Sequence, residues 1–170
     1  MVVAHFGIAV ALIGMASESA FTEERLAAIE QGDTATVGPW TVVLEGVEPV
    51  AGPNWTAVQA RLSARYGDGE ARELTPQSRN FWAPPQQTTE SALATRWNGQ
   101  LYAVVGDRSP DGRWQLRLWW KPFVTLIWYG GLLIALGGLL ALIGRVLTDL
   151  RHRRLAARIA ERRADREALA

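Results

Sequence analysis

The sequence contains no cysteine among its 170 residues. This absence excludes a disulfide framework, a thiol nucleophile, a CxxC redox pair and a Cys-ligated metal. Histidine is scarce as well, since His5 and His152 are the two present. The chain also lacks a glycine-rich phosphate loop after a strand, an HExxH motif and a histidine placed to assist a Ser nucleophile. We therefore predict that no residue of the isolated chain is catalytic.

A strong net charge is also missing, because the formal charge is +1 at pH 7. A balanced chain gives no reason to expect a nucleic-acid partner. The two signs are nevertheless unevenly spread, with arginines gathered after Arg145 and acidic residues between Glu18 and Asp33. This local asymmetry helps to orient the chain in a membrane.

A long apolar run occupies residues 122–144 and contains no charged side chain. About 20 apolar residues let an α-helix cross a bilayer, so the sequence predicts a transmembrane helix within residues 119–146. Trp119 and Trp120 precede the run and are predicted to lie at the headgroup level. The arginines that follow place a basic helical tail, residues 147–170, in the cytoplasm by the positive-inside rule.

Another apolar run covers residues 2–16 and is interrupted by His5. A cleaved signal peptide is the alternative to a retained helix. The run lacks a positively charged start, however, and Glu18 falls where a cleavage site needs a small residue. We therefore predict a retained transmembrane helix over residues 1–20. Two spans return the chain to its starting side, so the intervening part is predicted to lie outside the cytoplasm.

Residues 21–118 alternate between apolar and polar side chains, which is typical of strands with one buried face. About six short strands, separated by glycine turns such as Asn98-Gly99, predict a small antiparallel β domain, barrel-like or sandwich-like. Residues 26–31 are predicted to form one or two helical turns. The fold class is thus a mixed membrane protein, with two transmembrane α-helices flanking a small antiparallel β domain. The predicted strands cover residues 40–47, 55–66, 70–74, 89–97, 101–105 and 113–119. The predicted core face of the strand at 55–66 carries Thr56, Val58, Ala60, Leu62, Ala64 and Tyr66.

Four groups of residues could carry a function. His5 is the sole ionisable group of its apolar segment, where such residues usually face a partner or a cofactor, although a hydrogen-bonded structural histidine is the other interpretation. Eight tryptophans could stack on a planar ligand, although packing in the core or at the membrane interface is the simpler explanation. Arginines of the β domain could pair with carboxylates, or simply be solvated: Arg61, Arg65, Arg79, Arg96, Arg108 and Arg117. Glycines of the second helix predict close approach by a neighbouring helix, unless they reflect membrane-helix composition: Gly130, Gly131, Gly137 and Gly138.

Five blocks of sequence follow one another in a distinctive order: AHFGIAVALIGMASES, VEPVAGPNWTAVQARL, LTPQSRNFWAPPQQTTESAL, GQLYAVVGD and WQLRLWWKPFVTLIWYGGLLIALGGLLALIGR. Together they resemble the C-terminal region of CcmF, the cytochrome c-type biogenesis (system I) haem lyase subunit. The resemblance spans nearly the whole chain. It departs from the family at Trp55, where Tyr is usual, and at Gln77-Ser78, where a Glu-Lys pair is usual.

The resemblance implies a cofactor, partners and a location. His5 matches a family histidine that is an axial ligand to the iron of a membrane b-type haem, which would be shared here with partner helices. That haem is thought to pass electrons that keep the incoming haem iron reduced. The implied partners are the N-terminal part of the haem lyase, the haem chaperone, apocytochrome c with its thiol-handling chaperone, and membrane lipid. The implied location is the bacterial inner membrane, with the β domain in the periplasm.

Several family features have no match in this sequence: the second axial histidine, the tryptophan-rich haem-handling signature and two extracytoplasmic histidines. We therefore expect a C-terminal fragment or a split subunit of a haem lyase, whose haem attachment to apocytochrome c needs the missing helices. The alternative is a non-catalytic, membrane-anchored β domain that binds a partner protein in cytochrome assembly. In that case His5 is a polar residue of helix packing.

Overall fold

The computed structural model describes residues 2–168. The described elements, in chain order, are α1 (Val2–Phe21), β1 (Glu23–Ile29), β2 (Thr34–Val37), β3 (Trp40–Ala51), β4 (Trp55–Tyr66), β5 (Ala71–Leu74), β6 (Gln77–Trp82), β7 (Pro85–Glu90), β8 (Ala92–Arg96), β9 (Gly99–Arg108), β10 (Trp114–Pro122) and α2 (Leu126–Ala168). Both helices are long and apolar enough to cross a membrane. Two apolar helices therefore flank an antiparallel β domain, and the predicted fold class is confirmed.

The strands of the β domain form two antiparallel sheets. One sheet has the order β1-β10-β9-β8, and the other has the order β2-β3-β4-β6-β7 with β5 also paired to β4. The sheets approach each other along both sides, where β1 lies near β2 and β5 lies near β8. Their facing side chains enclose one apolar core, which makes the domain a sandwich with partly closed edges.

The core follows the alternation of the sequence where the two sheets face each other. Ala60, Leu62 and Ala64 of β4 are fully buried, as predicted. Nearer the start of β4 the prediction is wrong, because Thr56 is exposed and Ala57 is buried. That part of β4 pairs with β6 instead of β5, so its two faces meet different neighbours.

Residues 26–31, which were predicted to be helical, belong mainly to strand β1. This strand pairs with β10 along its whole length, from Glu23 opposite Trp120 to Ile29 opposite Trp114. Backbone hydrogen bonds to a neighbouring strand decide the conformation of a short segment whose own preference is weak. Strands β2, β6 and β7 were also not predicted, because they are short and carry few alternating apolar residues.

The boundary between the β domain and the second helix differs from the prediction. Residues 119–122, which were assigned to the transmembrane segment, are the end of β10, and α2 begins at Leu126. The predicted tail continues the same helix to Ala168, and residues 169–170 lie outside the described residues, as does Met1. The chain thus enters the helix through a short connection of three residues, 123–125.

The described chain divides into two compact units. The helical unit joins α1, as far as Leu12, with α2 from Trp128 onward. The other unit runs over Ile13–Ile127 and contains the β domain.

The β domain has a proximal end, next to the connections to the two helices, and a distal arm. At the proximal end β1 begins at Glu23, β10 ends at Pro122, and β8 turns into β9 across residues 96–99. The distal arm consists of residues 48–59 and 77–90, where β3, β4, β6 and β7 pair away from the helix connections.

Candidate functional site

Small residues bring the two helices of the helical unit together. A Cβ added at Gly7 would lie 2.8 Å from the carbonyl oxygen of Gly130, and one added at Gly137 would lie 2.5 Å from the backbone nitrogen of Ala4. Side chains do not approach a backbone so closely, so glycine is what allows these helices to touch. Since Ala4 meets Gly137 while Gly7 meets Gly130, the helices are antiparallel. The predicted close approach is confirmed for Gly130 and Gly137.

A different face of α2 carries the other two glycines of the predicted set. A Cβ added at Gly131 or Gly138 would meet nothing within 4 Å among the described residues. Positions seven apart lie on nearly the same side of a helix. The pair therefore leaves a shallow groove on α2 that α1 does not fill.

His5 lies on the side of α1 that faces away from α2. It shares an exposed stripe with Ile8 and Leu12, as the helical period requires, whereas Ala4 and Gly7 meet α2. The imidazole therefore lies on an exposed and mainly apolar side of α1, whereas Ala4 and Gly7 provide the close backbone contacts with α2. An imidazole in such surroundings can ligate an iron held jointly with another helix.

The side chains of this chain offer few metal ligands. Among residues 2–159, no group of three or more His, Cys, Asp or Glu side chains could hold a metal ion. A single histidine, in contrast, could supply a ligand to the iron of a haem whose other contacts come from partner helices. His5 thus fits a haem with shared ligation and does not fit a self-contained metal centre. His152 lies on the exposed surface of α2 beside Arg151 and Arg153.

An aromatic cluster closes the proximal end of the β domain. The ring of Trp120 lies 6.4 Å from that of Trp40 and 5.9 Å from that of Tyr66, and Trp120 is 5% exposed. Because β10 directs this side chain into the core, the ring of Trp120 is buried in protein and does not present the surface expected of a headgroup residue. Trp119 points to the opposite face of β10 and is half-buried, with Arg117 5.4 Å from its ring centre.

Two glycines make room for the indole of Trp120. Gly38 has φ 50° and Gly99 has φ 152°, both of which L side chains rarely adopt. A Cβ added at Gly99 would lie 2.5 Å from the Trp120 ring, and one added at Gly38 would overlap the same ring. The turns at these glycines are thus fixed by backbone conformation and by contact with one buried side chain.

Polar contacts run across one face of the distal arm. Gln59 Nε2 lies 3.4 Å from Glu48 Oε1, and Gln77 Nε2 donates to Gln59 Oε1. Arg79 Nε donates to Gln77 Oε1 at 2.8 Å, and its guanidinium pairs with Glu90 at 3.2 Å. A ladder of hydrogen bonds, with little apolar burial, therefore holds these strands in register.

The arginines singled out in the sequence do not gather at one place. Arg79 belongs to the distal arm and stacks over Trp55 at 4.5 Å, whereas Arg96 stacks over Tyr66 at 4.4 Å near the proximal end. Arg117 pairs with Glu24 at 3.0 Å on a third surface. These side chains already interact within the domain, so the structure does not assemble them into one carboxylate-binding site.

Two tryptophans are exposed on the surface of the β domain, and the sequence alone could not distinguish them from tryptophans of the core. Trp97 is 73% exposed in the turn between β8 and β9, and Trp82 is 53% exposed at the end of the distal arm. Trp82 is the last residue of β6, Trp97 directly follows β8, and the buried Trp120 lies inside β10. Their exposure depends on the partner strands, which the local pattern does not reveal.

Comparison with known proteins supplies the family context of this arrangement. Residues 20–122 match the family described as "CcmF C-terminal beta-sandwich". The chain is 39% identical over 145 residues to the cytochrome c-type biogenesis protein CycK of Bradyrhizobium diazoefficiens. It is 34% identical over 142 residues to the cytochrome c-type biogenesis protein CcmF of Escherichia coli. These alignments cover 85% and 84% of this chain and 22% of each relative, so the chain spans about a fifth of their length.

A solved structure, described as "Cytochrome c Heme Lyase CcmF", has a similar fold. It matches with a TM-score of 0.64 and 22% identity, over 81% of this chain and 23% of that one. At this level of identity the likeness concerns the fold, in which apolar helices flank an antiparallel β domain.

Proposed function

The chain belongs to the CcmF-type cytochrome c biogenesis haem lyase family, and from this premise we propose that it acts as the C-terminal part of such a lyase. In this role His5 is one axial ligand to the iron of a membrane b-type haem. The β domain helps to position apocytochrome c or the haem-delivering chaperone for haem attachment. Attachment itself would also require the part of the lyase that lies outside the fifth of the relatives' length to which this chain aligns.

The position of His5 is the observation on which the haem proposal depends. The side chain shares the apolar stripe of Ile8 and Leu12, on the side of α1 away from α2. A ligand in that position is accessible to a haem bound between α1 and a partner helix. The bound haem supplies one-electron transfer, and the apolar stripe contributes to the low polarity that tunes its reduction potential.

The open groove of α2 supports association with further helices. Gly130 and Gly137 are already used by α1, whereas Gly131 and Gly138 are open. Packing between membrane helices depends on small residues that let backbones approach. The N-terminal part of the haem lyase is the partner that we propose for this second face.

We place the protein in the bacterial inner membrane with the β domain in the periplasm. Two candidate spans and the membrane family support membrane localisation. The arginines that follow the apolar part of α2, from Arg145 onward, favour a cytoplasmic tail. Protease added to spheroplasts should therefore cleave the β domain and spare the tail. Cleavage of the β domain in inside-out vesicles alone would reverse this orientation.

Replacement of the proposed ligand tests the haem assignment. The chain is co-expressed with the remaining lyase helices, and the optical spectrum of the purified complex is recorded. We expect His5→Ala to remove most of the b-type haem absorbance, because an axial bond to iron is lost. The second histidine provides a matched control, since His152→Ala changes a side chain on the exposed tail of α2.

The control should keep the spectrum of the unmodified complex. If His5→Ala also keeps it, the ligand assignment is wrong. Retained cytochrome c maturation by the same variant would then favour the second function, a membrane-anchored β domain that binds a partner protein. The exposed Trp82 at the end of the distal arm is the surface feature that suits such a partner.

A further inference from the structure

The turn between β8 and β9 carries a large apolar side chain that the β domain does not bury. Trp97 is 73% exposed, and nearby Phe123 is 44% exposed. By contrast, Trp40 and Trp120, at the same end of the domain, are buried in the core. Exposed aromatic residues at the end of a rigid turn indicate an interaction surface.

Hydrogen bonds fix this turn beside the start of α2. Thr125 Oγ1 donates to the carbonyl oxygen of Trp97 at 2.7 Å, and the backbone nitrogen of Phe123 donates to the carbonyl oxygen of Asn98 at 2.8 Å. Thr125 is buried and directly precedes Leu126, the first residue of the helix that contains the candidate span. The turn is therefore bonded to the residues that directly precede the candidate span.

The turn is rigid as well as exposed. Asn98 Nδ2 donates to the hydroxyl of Tyr66 at 2.8 Å, and the Arg96 guanidinium stacks over the same ring at 4.4 Å. Gly99, which follows, packs against Trp120. A turn held on both sides in this way presents Trp97 outward, so that little backbone freedom is lost on binding.

Phe123 reinforces the same surface. Its φ of 58° is the one positive value among the non-glycine residues described, and a bulky side chain adopts this conformation only when its surroundings impose it. The conformation lets the backbone of residue 123 bond to the turn while the phenyl ring stays exposed. The strained backbone conformation of Phe123 therefore occurs where the chain connects this turn to the start of α2.

We propose that Trp97 and Phe123 insert into the headgroup and upper acyl region of the bilayer, so that the β8–β9 turn is a third membrane contact beside the two helices. We propose lipid as the partner because the turn is hydrogen-bonded to the residues that directly precede the candidate span. Indole rings also favour this interfacial region, where the apolar ring and the polar N–H are both satisfied. The contact fixes the height and tilt of the β domain over the membrane. It depends on the membrane localisation of the chain and not on haem ligation by His5.

Lipid quenching of a fluorescent label tests this contact. Because the chain has no cysteine, Thr95→Cys gives a single labelling position in β8, next to the turn. Gln86→Cys, on the distal arm, provides the matched distant control. Each full-length labelled protein is reconstituted into phosphatidylethanolamine–phosphatidylglycerol vesicles that contain a lipid with a shallow spin-label quencher. We expect several-fold stronger quenching at position 95 than at position 86.

Substitution of the tryptophan shows whether its side chain causes the quenching. In the Thr95→Cys background, Trp97→Asp should reduce quenching towards the level of the distal control, because a charged side chain leaves the interface. Trp97→Phe should retain most of it. Trp97→Ser replaces Trp97→Asp if the charged variant does not keep the near-ultraviolet circular dichroism of the folded domain.

Three results would overturn the proposal. Quenching at position 95 that is no stronger than at position 86 would place the turn away from lipid. Quenching that Trp97→Asp and Trp97→Ser leave unchanged would show that Trp97 does not make the contact. Protection of the label from iodide in water, without quenching by lipid, would indicate a protein contact at this surface.

Discussion

The proximal end and the distal arm of the β domain both contain tryptophan, arginine and glycine, but they are held together differently. At the proximal end Trp120 is buried between two glycine turns and two further aromatic rings. In the distal arm Trp82 is more than half exposed, and a ladder of polar side chains holds the strands together. Packing therefore dominates where the domain joins the helices, and hydrogen bonding dominates where it faces solvent.

The proximal end therefore contributes more to the stability of the β domain, whereas the distal arm has the more accessible aromatic side chain. Burial of a large aromatic side chain stabilises a domain by several times as much as a solvent-exposed polar pair. The proximal end is therefore the part of the β domain that packing stabilises most. The distal arm can present Trp82 and Trp55 to a partner protein with little cost to folding.

The largest expected effect is loss of the buried indole at the proximal end. Trp120→Ala should lower the free energy of unfolding by about 3–5 kcal/mol, because it leaves a cavity beside Trp40 and Tyr66 that the sheets cannot close. Urea denaturation of the full chain in detergent micelles, followed by near-ultraviolet circular dichroism, measures the change.

The distal tryptophan provides the control for this comparison. Trp82→Ala should change the free energy of unfolding by about 0.5 kcal/mol or less, as is usual for exposed positions. Equal losses for Trp120→Ala and Trp82→Ala would show that the two ends do not differ in the way described.

A smaller effect is expected from the glycine that contacts Trp120. Gly99→Ala should lower the free energy of unfolding by about 2–4 kcal/mol, because the strain of its backbone conformation adds to overlap with the Trp120 ring. Gly67→Ala is the matched control, since Gly67 has φ 52° and an added Cβ would meet nothing within 4 Å. It should cost about 1–2 kcal/mol from backbone conformation alone. If both variants lose the same amount in urea denaturation, contact with Trp120 contributes nothing at Gly99.

The sequence predicted well those elements whose signals are local. Strand β4 has the predicted bounds, Trp55–Tyr66, because apolar alternation and turn residues define both of its ends. The Asn98-Gly99 turn lies between β8 and β9, as expected from a glycine that accepts an unusual φ. Strand β1 was mistaken for a helical turn, because its conformation depends on pairing with β10, a strand about ninety residues away in the chain.

The candidate site was likewise predictable only where its signals are local in the sequence. The sequence and its resemblance identified His5 as an ionisable residue in an apolar segment, and its role as a haem ligand stays a prediction. The sequence could not show that His5 faces away from α2, because that depends on which side of α1 carries the small residues that meet Gly130 and Gly137. It also could not distinguish the exposed Trp97 from the buried Trp120.

The sequence by itself determined that the chain has two apolar helices and an alternating middle part, since length, hydropathy and glycine turns are local properties of the chain. It also determined the family, through the order of its motifs. Only the tertiary structure decided which aromatic rings are buried and which face outward. The reason is that strand pairing over long sequence distances selects the neighbours of each side chain, and two tryptophans in similar local sequence can then have opposite surroundings.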